Sequence, residues 1–109
     1  MQPDSVRTVG VLLFDGFDLL DACGPIEVFG NLKPRFTVVL VSESAGSIAS
    51  AQGPKVLADH SLNDCPPIDV LLVPGGPGAR REVDNATLLA WLTERAAAKF
   101  WPEIGPLVR

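Results

Sequence analysis

Three continuous apolar runs, Val9–Phe14, Phe36–Val41 and Ile68–Val73, constrain what this chain can fold into more than any other feature of it. None follows the polar–apolar alternation of a half-exposed strand. Each therefore reads as a strand buried on both faces, as strands do in a parallel sheet covered by helices. The segments between them fit that reading. Residues 18–29 carry apolar side chains at 19, 20, 23, 26, 28 and 29, a helical spacing interrupted at Gly24-Pro25. Proline removes a backbone donor, so a short turn of helix, a break, and a second helix starting near Pro25 are expected. Ser47–Ala51 and Lys55–Ala58, separated by Gln52-Gly53-Pro54, read as a hairpin excursion. After the third run come Pro74-Gly75-Gly76-Pro77-Gly78 and a helix capped by Asn85. Leu88, Leu89, Leu92 and Ala96 share one face of that helix, and Arg95 and Lys99 sit at its negative end. The order is that of a growing α/β sheet.

A chain of 109 residues, 47% hydrophobic and 20% charged, is sized for one globular domain. Its net charge of −4 argues against a nucleic-acid partner, because phosphate binding needs an excess of Lys and Arg. The apolar stretches are strand-length and stop well short of the ~20 residues of a membrane span. Met1-Gln2-Pro3-Asp4-Ser5 lacks the basic and apolar regions of a signal peptide. A cytoplasmic location is therefore expected, and with it reduced thiols at Cys23 and Cys65. His60 is the only histidine. No acidic residues are spaced around it as ligands, so neither a metal nor another cofactor is expected.

In open parallel sheets ligands bind beyond the carboxyl ends of the strands. This directs attention to Asp15, Asp18, Asp21, Glu43 and the Gly75-Gly76 turn. A glycine pair directly after a strand suits a backbone that aims N–H groups at an oxyanion; a tight turn with no ligand reads the same. Asp21 lies among apolar neighbours just before the expected helix break. Poor solvation there would raise its pKa and make it an acid or base; a carboxylate bonded to backbone donors at a helix start is the competing reading. Cys23 reads as a small buried thiol. Cys65 lies in a loop at the wrong end of the sheet for catalysis, and His60 reads as a structural residue of the hairpin region. Phosphate binding is disfavoured, since acidic Asp15 and Asp18 occupy the loop that would face the phosphate.

Taken together, these segments resemble the DJ-1/PfpI superfamily (class I glutamine amidotransferase-like), and within it the isonitrile hydratase-like and AraC-regulator-associated branch. The resemblance is carried by Val9–Phe14, Asp18-Leu-Leu-Asp-Ala-Cys-Gly-Pro-Ile-Glu-Val-Phe29, Phe36–Ser42, the stretch from Asp64 to Val73-Pro-Gly-Gly76, and Arg80–Asn85 leading into Leu88–Arg95. It implies a flavodoxin-like three-layer α/β/α fold with a mostly parallel sheet, and a small-molecule substrate in the full-length relative. It also implies a cysteine nucleophile on a strand-to-helix elbow, an acidic partner and glycine amides that steady negative charge. Asp21 falls on the acidic, acid/base position and Gly75 and Gly76 on the oxyanion turn. In a hydratase of this kind the thiolate attacks an isonitrile carbon, and water is added to give an N-substituted formamide.

The cysteine elbow would lie on a strand beginning near residue 100. There the sequence runs Phe100-Trp-Pro-Glu-Ile-Gly-Pro-Leu-Val-Arg109, which neither helix nor central strand can use. Residues 7–99 are thus expected to form an incomplete DJ-1/PfpI domain lacking its second half, and 100–109 a divergent proline-containing tail. Without its nucleophile the chain is expected to be inactive alone. The alternative is a non-catalytic ligand-sensing domain of an AraC-type transcriptional regulator. With the third strand at an open edge, a homo-oligomer or other self-association is expected.

Overall fold

A computed structural model describes residues 6–98. The first apolar run forms strand β1 (Arg7–Leu13) and the second forms β2 (Phe36–Ser42), with helix α1 (Leu19–Gly30) between them. An antiparallel hairpin, β3 (Gly46–Ala49) and β4 (Lys55–Ala58), follows as expected. After it come β5 (His60–Ser61), β6 (Val70–Leu72), a single turn α2 (Ala79–Glu82) and α3 (Ala86–Ala98). The main sheet has the order β5-β2-β1-β6, and all of its pairings are parallel. β6 lies at one edge beside β1, which places the third run where a flavodoxin-like order requires it.

The two faces of the sheet are covered by different elements. On one, Val9, Val11, Leu13 and Leu72 pack with Ala22, Ile26 and Phe29 of α1 and with Ile48 and Val56 of the hairpin. On the other, Leu12, Val41 and Leu71 pack with Leu62, Ile68 and Leu88, and Trp91 and Leu92 of α3 close over them. The result is a flavodoxin-like three-layer α/β/α arrangement, incomplete at this length. Gly10 is the one gap in β1's apolar run, and Ile68 fills it. A methyl group on Gly10 would lie 3.1 Å from Cδ1 of Ile68.

Four expectations are corrected. The helix does not break at Gly24-Pro25, because α1 runs unbroken with Pro25 inside it. Losing one donor costs less than unseating Ala22, Ile26 and Phe29, which anchor both sides of the proline on the core. The ring of Phe29 also meets Phe36 edge-to-face at 5.0 Å, tying the end of α1 to the start of β2. Secondly, Cys23 is exposed rather than buried, since it points away from that apolar side of α1. Thirdly, the inward face of α3 is Leu88, Trp91 and Leu92, whereas Leu89 is 41% exposed. The side chains of Arg95 and Ala96, and Lys99 with the expected tail at 100–109, lie outside the described residues. Finally, His60 belongs not to the hairpin but to β5, where it pairs with Val41 on the main sheet. Its Nδ1 is 3.8 Å from Asp64, whose carboxylate also accepts the Ser61 N–H at 2.8 Å.

Candidate active site

Beyond the carboxyl ends of β1 and β6, residues 15–18 and 74–78 are joined backbone to backbone. The Asp18 N–H donates to the Gly75 carbonyl at 2.8 Å, and the Gly78 N–H to the Gly16 carbonyl at 3.1 Å. The guanidinium of Arg81 caps the Asp15 carbonyl at 2.8 Å. Such proximity needs glycine. At Gly76, with φ +126°, a Cβ would fall 2.6 Å from both the Asp18 nitrogen and the Gly16 oxygen. At Gly78 it would overlap the Asp15 carbonyl oxygen. Two of the three glycines that mark this segment in the sequence, Gly76 and Gly78, thus have a packing role beside any role toward a ligand.

The hairpin holds the other side of the first loop. Gly16 donates to the Ala49 carbonyl at 2.9 Å and Ala51 to the Phe17 carbonyl at 2.8 Å. Between these bonds the Phe17 side chain is fully buried. Gln52, at the hairpin tip, accepts the Leu19 N–H at 2.9 Å, so the first turn of α1 is capped from a distance. Asp18, at the N-cap position, makes no side-chain cap.

Asp21 stands in that first turn, half-buried, and its Oδ2 accepts the Gly75 N–H at 3.1 Å. The structure therefore brings together the acidic residue and the first glycine of the pair, 54 positions apart. Gly76 is adjacent, its backbone held by the contacts just described. Cys23 lies on the exposed side of α1 and Cys65 beneath α3 among Leu12, Val41 and Ile68.

The remaining candidates gather elsewhere. Asp15, Glu43 and Glu82 line a cleft of about 200 Å³ beyond β1 and β2, floored by Leu13, Phe14, Ile48 and Leu88. Asp21 and Gly75 are not in its walls. Asn85 organises its rim. Its Nδ2 donates to Glu43 at 2.6 Å and to Glu82 at 3.1 Å, while its Oδ1 caps α3 by accepting the Leu88 N–H at 3.1 Å. Sequence reasoning identified Asn85 as a cap. It missed Phe17, Arg81 and the Gly16–Gly78 contact, for which the only signals were an apolar residue between two acids and a glycine in each loop. Among the described residues no group of three or more His, Cys, Asp or Glu could hold a metal ion. Nor is any helix of theirs long and apolar enough to cross a membrane.

Residues 7–100 match the model of the DJ-1/PfpI family. The chain belongs to that family. It is 33% identical over 89 residues to isonitrile hydratase of Pseudomonas putida, covering 82% of this chain and 39% of the relative. A THiJ/PfpI family protein from Pseudomonas syringae superposes with a TM-score of 0.80 at 26% identity, over 89% of this chain and 43% of that one. Oxidized Toxoplasma gondii DJ-1 gives 0.70 at 25% identity, over 85% and 52%. This DJ-1/PfpI chain thus spans about two-fifths of the curated relative it matches.

Proposed function

We propose that this chain supplies the acidic half of an isonitrile hydratase-like site, in which Asp21, oriented by the Gly75 N–H, exchanges protons and the Gly75-Gly76 turn steadies negative charge through the Gly76 N–H. The observation that supports it is the bond between Asp21 Oδ2 and the Gly75 N–H, in a chain one-third identical to an isonitrile hydratase. With Oδ2 held by Gly75, Oδ1 is the oxygen that exchanges the proton. In the complete site a cysteine thiolate adds to the terminal carbon of the isonitrile, and that carbon takes up a proton. Water then attacks the resulting thioimidate carbon, the carbon–sulfur bond breaks, and an N-substituted formamide leaves with the thiolate regenerated. Neither cysteine of this chain is placed to be that nucleophile. The assembly works in the cytoplasm on a small neutral substrate, with no nucleic acid or membrane partner.

Two preparations test this. The chain alone should not convert an isonitrile to a formamide. Turnover that disappears in Cys23→Ser would overturn the placement of the nucleophile elsewhere. Joined to the C-terminal part of the Pseudomonas putida enzyme, the chain should acquire turnover, and Asp21→Asn should reduce it by orders of magnitude while barely moving the melting temperature. Equal turnover in the two joined proteins would make Asp21 a purely structural carboxylate.

A further inference from the structure

The first turn of α1, which carries Asp21, is fastened from outside the helix. Asp18 stands at the N-cap position and is a residue type suited to capping, yet its side chain caps nothing. The two leading amides are satisfied by other elements instead. Asp18 donates to the Gly75 carbonyl at 2.8 Å, and Leu19 donates to Oε1 of Gln52 at 2.9 Å, 33 positions along the chain. Gly75 meets the same turn a second time, through its N–H on Oδ2 of Asp21. Two bonds to one residue leave a turn able to pivot about that residue. An attachment to a different element removes the pivot, and the Gln52 side chain makes it.

The backbone that carries Gln52 is built to hold it there. The Gly53 N–H bonds the Ser50 carbonyl at 3.2 Å, closing a β-turn with Ala51 and Gln52 at its centre, and Gly53 takes φ +111°. Ser50 is buried, and both its N–H and its Oγ donate to the Pro54 carbonyl, at 3.0 and 2.7 Å. The Ala51 N–H on the Phe17 carbonyl at 2.8 Å joins this tip to the residue just before Asp18. The hairpin thus grips the start of α1 twice, by backbone at Phe17 and by side chain at Leu19.

We infer that Gln52 is a positioning residue of the candidate site: through the Leu19 amide it holds the first turn of α1 so that the Asp21 carboxylate stays on the Gly75 N–H, leaving Oδ1 for the substrate. The inference rests on the acid/base role proposed for Asp21. Gln52 itself touches no reacting atom. Proton transfer needs hydrogen-bond reach, and a misplacement of roughly 1 Å can cost about a hundredfold, so a partial swing of the turn is enough to show in turnover.

Nuclear magnetic resonance of the whole chain tests the placement without any turnover. The Gly75 amide proton reports its bond to Asp21, and Asp21→Ala gives its position with that bond absent. Gln52→Met keeps the length of the side chain and removes the acceptor, and it should move the Gly75 amide toward the Asp21→Ala position. Gln52→Glu keeps an acceptor for Leu19 and should leave the Gly75 amide near the parent. A Gly75 amide unmoved in Gln52→Met would make Gln52 a helix cap and nothing more, and would overturn the proposal. So would a Leu19 amide that does not respond to Gln52→Met. In the protein joined to the C-terminal part of the Pseudomonas putida enzyme, Gln52→Met should lower kcat about tenfold with KM changed by less than about twofold, and Gln52→Glu should recover most of the loss. An unchanged kcat in Gln52→Met, where Asp21→Asn lowers it, would overturn the proposal and leave the role of Asp21 standing. Turnover indifferent to Asp21→Asn would overturn that role instead, and the Gly75 amide would still decide whether Gln52 places the carboxylate.

Discussion

Asp21 and Gly75 meet through a 3.1 Å hydrogen bond between a carboxylate in the first turn of α1 and an amide just past the end of β6. The sheet makes this possible, since β1 and β6 are neighbours in register, Val9 with Val70 and Val11 with Leu72. Loops leaving parallel neighbours emerge side by side, and residues distant in sequence become partners.

Removing the Asp21 carboxylate should cost stability as well as chemistry. Asp21→Ala is expected to lower the free energy of unfolding by about 1 kcal/mol, the modest value of one hydrogen bond at a half-exposed site. Asp21→Asn keeps an acceptor for the Gly75 N–H and should recover most of that. Urea unfolding of the three proteins checks the order.

Gly76 and Gly24 should respond oppositely to alanine. Gly76→Ala forces a Cβ into the backbone of residues 16–18 at a positive φ, and a loss of several kcal/mol or failure to fold is expected. Gly24→Ala meets open space in a helix and should stabilise the monomer by about 0.4–1 kcal/mol. Thermal melts at low concentration measure both.

The contact of Gly10 with Ile68 predicts non-additivity. Gly10→Ala should destabilise by about 1–3 kcal/mol through overpacking. Combined with Ile68→Ala, which removes both Cδ1 and Cγ2, the atoms that the new methyl would meet at 3.1 and 3.2 Å, it should cost less than the sum of the single changes.

Asn85 both donates and accepts, and its two replacements separate those roles. Asn85→Ala loses the cap of α3, at about 0.5–2 kcal/mol. Asn85→Asp keeps an acceptor for Leu88 but sets a third carboxylate against Glu43 and Glu82. Raised salt should therefore restore much of the stability of Asn85→Asp and little of that of Asn85→Ala, because it screens exposed charges only.

The parts legible in the sequence were those with a local cause. Unbroken apolar runs gave the parallel strands, Gly53 between two short runs gave the hairpin, and Asn85 before Leu88 gave a cap. What escaped was decided by packing at a distance. Pro25 is a local signal for a helix break, yet Ala22 and Phe29 on the core outweigh it. Cys23 looked buried by residue type, but its angular position on α1, fixed by Ala22 and Ile26, turns it outward. At the site, Asp21 and the glycine pair stood out as residue types, whereas the bond that joins them depends on the pairing of β1 with β6. The close approach of Gly16 to Gly78 has no sequence signal beyond the glycines themselves.

Because every pairing in the main sheet is parallel, its central strand has no partner nearby along the chain. Val9 finds Val38 on one side and Val70 on the other. At a synthesis rate of roughly 5–20 residues per second, an interval of about sixty residues leaves one side of β1 without its neighbour for several seconds after it is made. Non-local ladders of this kind also form slowly because loop closure precedes any gain from contact. The apolar run that specifies this fold most clearly is thus also the segment of the nascent chain most in need of shielding while the protein is being made.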